Sequence, residues 1–171
     1  MTAQLIDNSI AEVTVDFVAT LDALASSSTL LAGAKSAKFD LGELTQNLQY
    51  DVYAKIAGSA SSAPTVDTLC QLWYFASRDD TTYEGGGTVT NGAAAALTLT
   101  ETEKAQGTLL FSRPWRAATT WFVNVGPVDL KIGRPGLLAP ARYGVFWLTQ
   151  ASGQALAASG GVVKLKPRNL V

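Results

Sequence analysis

Short runs in which apolar and polar residues alternate recur along the chain, and they predict β-strands. In Ala11–Thr20, the apolar residues Val13, Val15 and Phe17 alternate with polar ones, which is the two-residue period of a half-buried strand. Thr65–Ser77 ends instead in a nearly continuous apolar run, as expected of a strand that is covered on both faces. The complete set of predicted strands is Ala11–Thr20, Leu48–Ala57, Thr65–Ser77, Thr119–Val125, Val128–Ile132, Tyr143–Gln150 and Val162–Lys166.

Clusters of glycine, proline and small polar residues separate these strands at the spacing typical of a sandwich or barrel. Examples are Gly58–Pro64, Glu84–Gly87 and Ser159–Gly161. Helix is sparse: the best candidate is Leu21–Gly33, although its central Ser-Ser-Ser-Thr favours caps and turns over a helix interior. We interpret the alanine run Ala93–Ala96 as a loop that leads into a strand.

These elements predict an all-β fold with little helix and long loops. A length of 171 residues fits one domain, so we expect a single β-sandwich over residues 1–171, with residues 1–10 as a candidate N-terminal arm. The segment Asp79–Gly92 is a long, polar, glycine-rich excursion within that domain. Long loops of this kind are usually mobile or functional.

The charge of the chain is low and unevenly distributed. Only 16% of the residues are charged, and the formal net charge of −1 leaves no global attraction for nucleic acid or an anionic membrane. Thirteen acidic and five basic residues precede Phe111, whereas one acidic and eight basic residues follow from there on. A basic face could dock on an acidic partner; alternatively, strands from both halves interleave and neutralise each other. We favour interleaving, because sandwich topologies mix distant segments.

Nothing in the sequence indicates export or membrane insertion. The first thirteen residues lack the basic and apolar regions of a secretory signal, and no apolar run approaches the ~18 residues of a membrane span. The single cysteine, Cys70, excludes an intramolecular disulfide, and its place in an apolar strand predicts a buried hydrophobe. We therefore expect synthesis in the cytoplasm and release by lysis or within a particle.

The sequence offers no recognisable catalytic or metal-binding motif. It contains no histidine, which excludes the Ser-His-Asp and Cys-His mechanisms and the commonest metal ligand. Asp79, Asp80 and Glu84 lack the alternate spacing of a calcium loop. Glu101 and Glu103 are expected to share one strand face towards water. We therefore predict a non-enzymatic protein without a metal or cofactor.

One tryptophan stands in a context that differs from the others. Core packing is expected of those in strand runs, which are Trp73, Trp121 and Trp147. Trp115 lies between Arg113 and Arg116, and we expect it to be partly exposed. An exposed tryptophan flanked by arginines is the composition of a protein-interface hot spot.

Three stretches of the chain together resemble one known family. The first is the strand Leu48–Ala57, LQYDVYAKIA. The second is Val66–Tyr83, a strand followed by a turn that Arg78, Asp79, Asp80 and Tyr83 carry. The third and most specific is Leu137–Asn169, with a proline-bearing turn, an apolar strand, a glycine turn and a final ALxASG segment. Together they resemble the decoration, or cement, proteins of tailed-phage capsids, whose closing pattern is similar to the third stretch. Thr149 and Gln150 stand where the asparagine of that pattern is usual.

The resemblance implies a jelly-roll sandwich that binds the outside of an assembled capsid and stabilises it, usually as a symmetric homo-oligomer. The implied partners are the major capsid protein and further copies of the chain, as a dimer or trimer, without nucleic acid or membrane. The expected location is the exterior of the virion. Contacts are expected from Met1–Ile10, Asp79–Gly92 and Arg113–Arg116. The candidate interface residues are Arg113, Trp115, Arg116, Asp79, Asp80 and Tyr83.

Two other classes remain open. A tail or fibre component that recognises a host glycan or protein would also be rich in strands, and it would carry an exposed aromatic platform. An enzyme with an unusual carboxylate site is the third alternative.

Overall fold

The strands and turns are given by a computed structural model that describes residues 6–7, 13–17, 21–41, 49–59, 63–116, 120–130 and 141–170. Within these ranges the chain is built mainly of strands, joined by turns. The strands are β1 (Ile6–Asp7), β2 (Val13–Val15), β3 (Ala32–Lys35), β4 (Phe39–Asp40), β5 (Gln49–Ala57), β6 (Leu69–Ser77), β7 (Ala95–Thr98), β8 (Thr108–Pro114), β9 (Thr120–Val128), β10 (Tyr143–Gln150) and β11 (Val162–Leu170). A short α-helix, α1 (Glu101–Lys104), and a 3₁₀ turn (Gly86–Thr88) lie between β6 and β8.

The strands form two antiparallel sheets. In the first sheet, β11 pairs with β5, and β5 pairs with β9; β1 and β2 both pair with the other side of β11. In the second sheet the order is β7–β3–β10–β6–β8, and β4 pairs with β10 beside β3. The two sheets pack face to face as an all-β sandwich.

The pairing is nested, which is the topology of a jelly roll. Counted along the sequence from the two ends towards the middle, β2 pairs with β11, β3 and β4 with β10, β5 with β9, and β6 with β8. The chain is therefore a long antiparallel ribbon that is folded over twice, so that alternate pairs fall in alternate sheets. The strand β7 adds one further edge to the second sheet.

The inner faces of both sheets supply one hydrophobic core. In β5 the burial alternates residue by residue, and its inward residues pack against those of β6, β10 and β11. Phe146 lies at the centre, with its ring 4.8 Å from that of Phe39 and 5.9 Å from that of Tyr74. Cys70 is fully buried there, as predicted, and burial raises the pKa of its thiol.

A second core lies on the outer face of the second sheet. The connection between β6 and β8 folds back over this face and buries a cluster that we call the outer cluster: Phe75, Tyr83, Val89, Leu99, Val145 and Trp147. The ammonium group of Lys35 ties the connection to β3 by hydrogen bonds to the carbonyl oxygens of Thr90 and Ala93, at 2.9 and 3.2 Å. Trp147 is fully buried as predicted, whereas Trp73 is only partly buried beside the cluster.

The prediction of a helix at Leu21–Gly33 was wrong. Of this segment only Leu21 is helical; Asp22 and Ala23 form a turn, and β3 begins at Ala32. The backbone N–H groups of Leu31 and Ala32 donate to the hydroxyl oxygen of Ser27, at 3.3 and 3.2 Å. The strand then pairs with β10, and such tertiary pairing overrides local propensity.

A further expectation for a short segment was also wrong. Glu101 and Glu103 lie on the helix α1 rather than on a strand, because Thr100 and Glu103 form a capping box. The alanine run leads into a strand as expected, but the strand, β7, begins within the run at Ala95.

The predicted strand boundaries differ in how well they hold. The segment Tyr143–Gln150 is confirmed without change as β10, and the runs predicted at β5, β6, β9 and β11 are confirmed with shifted ends. Of the predicted strand Val128–Ile132, Val128 ends β9 and Leu130 is in a turn, while residues 131–132 lie outside the described residues. The candidate arm, residues 1–10, is described only at β1.

The acidic and basic halves of the sequence interleave in the described strands. Each sheet combines strands from before and after Phe111, as in the pairing of β11 with β5. Lys166 consequently lies opposite Asp51, and Arg142 forms an ion pair of 2.9 Å with Asp40. Among the described residues, no helix is long and apolar enough to cross a membrane.

Candidate interaction surface

The outer faces of the two sheets differ in how they are covered. The connection between β6 and β8 covers that of the second sheet, whereas the alternating side chains of β5, β9 and β11 on the first sheet remain partly or fully exposed. Strand register places Lys55 beside Phe122 and Lys164 beside Tyr53 on this face. The exposed outer face of the first sheet, which we call the bare face, therefore presents two aromatic rings next to two ammonium groups.

An aromatic pair lies at the β9 edge of the bare face. Phe122 is 62% exposed, more than the other exposed large hydrophobic residues of the described chain, which are Val66 and Leu109. Its ring stacks on that of Tyr53, with centroids 6.0 Å apart and planes inclined by 29°. Large exposed aromatic residues of this kind anchor protein interfaces, where burial of 150–250 Å² of apolar surface is gained.

The side of the sandwich formed by β8 and β9 carries further apolar surface. Leu109 in β8 is 43% exposed and lines a cleft of about 250 Å³ between the two sheets, together with Val128 and Asp129. Arg113 and Arg116 are exposed at the other end of β8. Among the described strands, β8 and β9 each pair on one side only, so this side presents two sheet edges.

The expectation that Trp115 is partly exposed was wrong. Its side chain is fully buried in the inner core, although the flanking Arg113 and Arg116 are exposed as expected of surface residues. The backbone explains the inward direction: the N–H of Trp115 donates to the carbonyl of Thr68 at 2.7 Å, which fastens the end of β8 to the start of β6. Trp115 thus contributes to the core and positions the two arginines.

The turn at Asp79–Tyr83 is a structural element of the outer cluster. One carboxylate oxygen of Asp79 accepts hydrogen bonds from the N–H groups of Thr82 and Thr81, at 2.7 and 2.9 Å. These donors hold the pKa of the Asp79 carboxyl well below its usual range. Asp80 pairs with Lys38 and accepts from the hydroxyl of Tyr83 at 3.0 Å.

Tyr83 itself is only 3% exposed, so the expectation that this loop lies outside the core was wrong for it. The Asp79–Tyr83 turn and the arginine segment are not neighbours. In the pairing of β6 with β8, the end of β6 that leads into Asp79 lies near Thr108, whereas Leu69 at the other end pairs with Pro114. The sequence-based interface candidates therefore fall into two separate places, of which only Arg113 and Arg116 adjoin the exposed β8–β9 side.

Within the segment that carries the strongest resemblance, the buried side chain of Gln150 holds the turn that follows β10. The side-chain amide of Gln150 donates to the carbonyls of Leu24 and Gln154, at 3.1 and 2.8 Å, and its side-chain oxygen accepts from the N–H of Ser152. Gly153 then adopts a φ of 77°, which favours glycine. Gln150 thus fixes this turn through three side-chain hydrogen bonds.

The residues of the bare face are not evident as a site in the sequence. Phe122 and Tyr53 appear there only as members of predicted strands, but one signal was present. Adjacent apolar residues in a strand point to opposite faces, so the run Thr119–Val125 had to present one large aromatic side chain outward.

The described residues include no cluster of three or more histidine, cysteine or acidic side chains that could hold a metal ion. Comparisons with protein-family models, with curated proteins and with solved structures find no match to this chain.

Proposed function

We propose that this chain is a non-enzymatic structural protein of a tailed-phage virion that binds the outer surface of the capsid and stabilises it. The observation that supports the proposal best is the unequal covering of the two sheets. The connection of about thirty residues between β6 and β8 covers the outer face of the second sheet with an apolar cluster. The outer face of the first sheet carries the exposed aromatic pair. A sheet face of that composition is suited to burial against another protein.

The virion setting comes from the sequence resemblance, above all from Leu137–Asn169. The jelly-roll topology is compatible with it, since capsid-associated domains often have this fold, but a fold alone does not specify a function. Lys55 and Lys164 favour an acidic surface on the partner. The major capsid protein is the partner that the resemblance implies.

Stabilisation follows from selective binding. A ligand that binds the assembled shell but not its dissociated subunits lowers the free energy of the assembled state in proportion to the logarithm of its saturation. A symmetric oligomer multiplies modest contacts through its effective concentration at the shell surface. No catalytic step is needed for this role.

The experiment measures binding to capsids of the same phage that lack this protein. We expect saturable binding at a stoichiometry fixed by capsid symmetry, together with a higher capsid melting temperature. The double variant K55E/K164E should bind at least about tenfold more weakly, since two attractions become repulsions. The matched control is R78E, which reverses an exposed charge outside the bare face. Absence of wild-type binding and of any thermal shift would contradict the proposal.

A tail or fibre component that binds a glycan is the second candidate, and one observation favours it. The exposed Phe122 ring stacked on Tyr53 is a flat aromatic surface of the kind on which a sugar ring packs. Saccharide binding that is lost in F122A, without capsid binding by the wild type, would support this role in place of capsid decoration.

A further inference from the structure

We infer that two copies of this chain associate through β9, which pairs edge to edge and antiparallel with β9 of the second copy about a two-fold axis near Phe122. This inference rests on the proposed function only in treating the bare face as a protein-binding surface, and it names the occupant of its β9 edge. The two bare faces would then lie side by side in one continuous sheet.

The first six residues of the β9 edge lack the features that normally prevent strand pairing. Edge strands are usually protected by charged residues, by proline or by a bulge. The segment Thr120–Val125 contains no charged residue and no proline; Pro127 and the register shift opposite Tyr50 and Val52 come after it. Every second residue of such an edge directs its N–H and C=O groups away from β5 and can bond to another strand.

Antiparallel self-pairing would bring the exposed Phe122 side chain of each copy against the outer-face side chains of the other. The bonding positions of β9 alternate, so pairing of identical strands joins positions of the same parity and places outer-face side chains beside outer-face side chains. Phe122 would therefore meet Phe122 or Asn124 of the second copy. The two Lys55 residues would be separated by three strand spacings, about 14 Å, which exceeds the Debye length of about 8 Å at physiological salt. Charge repulsion on this face is therefore small.

The charges at the ends of this side are complementary under the same two-fold symmetry. Arg116 is exposed just before β9, and Asp129 is exposed just after it. Asp129 lines the cleft beside Thr108, whereas Arg116 lies at the far end of β8. An antiparallel arrangement brings the arginine end of one copy against the aspartate end of the other, twice per dimer.

The area of this side predicts a weak dimer. Six residues of strand are about 20 Å long, and two packed sheets with their side chains are about 20 Å wide, which gives roughly 400 Å² per copy. A standard stable interface buries about 800 Å² per partner. Association should therefore depend on concentration, and crowding on a capsid surface would favour it through effective concentration.

The test is sedimentation velocity of the full chain over a concentration series. We expect a reversible monomer–dimer equilibrium for the wild type. N124K places a charged side chain within the pairing edge, and it should weaken the dimer at least about tenfold while leaving the melting temperature of the monomer unchanged. The matched control is T98K, which adds the same charge to the exposed β7 edge of the second sheet and should dimerise like the wild type.

Charge exchange tests the orientation of the two copies. R116D and D129R should each weaken the dimer, and the double variant R116D/D129R should recover it, because the pair is restored with its signs reversed. A chain that stays monomeric at all concentrations, a trimer, or a dimer unaffected by N124K would overturn the inference. Capsid binding by a monomeric chain would refute the dimer while leaving the proposed function intact, and a dimer that binds no capsid would refute the function alone.

Discussion

The Nζ atom of Lys35 lies 2.9 Å from the carbonyl oxygen of Thr90, to which it donates a hydrogen bond across 55 positions of sequence. The carbonyls of Gly92 and Ala93 lie at 3.5 and 3.2 Å from the same atom. Lys35 is 3% exposed, and burial lowers its pKa. A single ammonium group thus satisfies several carbonyls of the connection that covers the second sheet.

Replacement of Lys35 by methionine should destabilise the fold. The variant keeps most of the apolar volume but leaves buried carbonyls without their charged donor, and the expected loss is about 1.5–3 kcal/mol in the free energy of unfolding. K38M is the matched control, since Lys38 is 45% exposed and its pair with Asp80 should contribute less than about 1 kcal/mol. Urea unfolding measures both, and equal losses in the two variants would contradict this assignment.

Gly33 allows β3 to lie against the ring of Trp147. A Cβ atom at this position would lie 2.4 Å from the carbonyl oxygen of Leu148 and 2.7 Å from Cε2 of Trp147. Because a backbone atom cannot yield as a flexible side chain can, G33A should cost about 1–3 kcal/mol or more. At Gly87 an added Cβ meets nothing within 4 Å, so G87A should be nearly neutral. Differential scanning calorimetry compares the stability of the two variants. A G33A protein as stable as the wild type would contradict the close packing of Gly33 against Trp147 and Leu148.

Replacement of Trp115 should lower the free energy of unfolding, whereas replacement of the neighbouring arginines should hardly change it. W115A removes a fully buried side chain and should cost about 3–5 kcal/mol. R113A and R116A, at exposed positions, should stay within about 0.5 kcal/mol of the wild type. Chemical denaturation of the three variants provides the measurement. Unchanged stability of the W115A protein would contradict the burial of Trp115.

Alkaline pH should unfold the protein partly through Tyr50. Its hydroxyl donates to the carbonyl of Leu41 at 3.1 Å, and burial, with the charges of Asp129 and Asp40, raises its pKa from 10.0 to about 12. The folded state therefore holds this proton more tightly than the unfolded chain does. Its contribution to stability is complete below pH 10 and is lost as the pH rises towards 12.

The Y50F variant removes that titration. It should be less stable than the wild type at neutral pH, because the hydrogen bond is gone, but its free energy of unfolding should fall less steeply between pH 10 and pH 12. Urea titrations at neutral pH, at pH 10 and near pH 12 compare the slopes. Parallel curves for the two proteins would show that Tyr50 does not contribute to the alkaline transition.

The long strands could be predicted because their own residues carry the pattern. In β5 and β10 the apolar positions are enough to indicate a strand, since each side chain that must be buried is apolar whatever the partner strand is. Burial of Cys70 followed from the same pattern. The jelly-roll order itself was expected only from the resemblance, because strand periodicity carries no information on which strands pair.

The short elements depended on their partners. The strands β3 and β8 went unpredicted, because Ala32–Lys35 has almost no apolar alternation and Thr108–Pro114 follows none over its length. Their backbone groups are satisfied by β10 and β6, and it is this pairing that makes them strands. A helix predicted from local propensity at Leu21–Gly33 failed for the same reason.

The exposure of the side chains at the candidate surface depends on the tertiary structure even more than the short strands do. From the sequence, Trp115 and Tyr83 in polar surroundings predict exposure, and the structure buries both; the exposed Phe122 was not singled out by the sequence. The sequence by itself determined that the chain forms strands, most of them with one apolar face and Thr65–Ser77 with two. Only the tertiary structure decided which outer face is covered, because the connection between β6 and β8 folds over the second sheet, whereas the described outer residues of the first sheet remain partly or fully exposed.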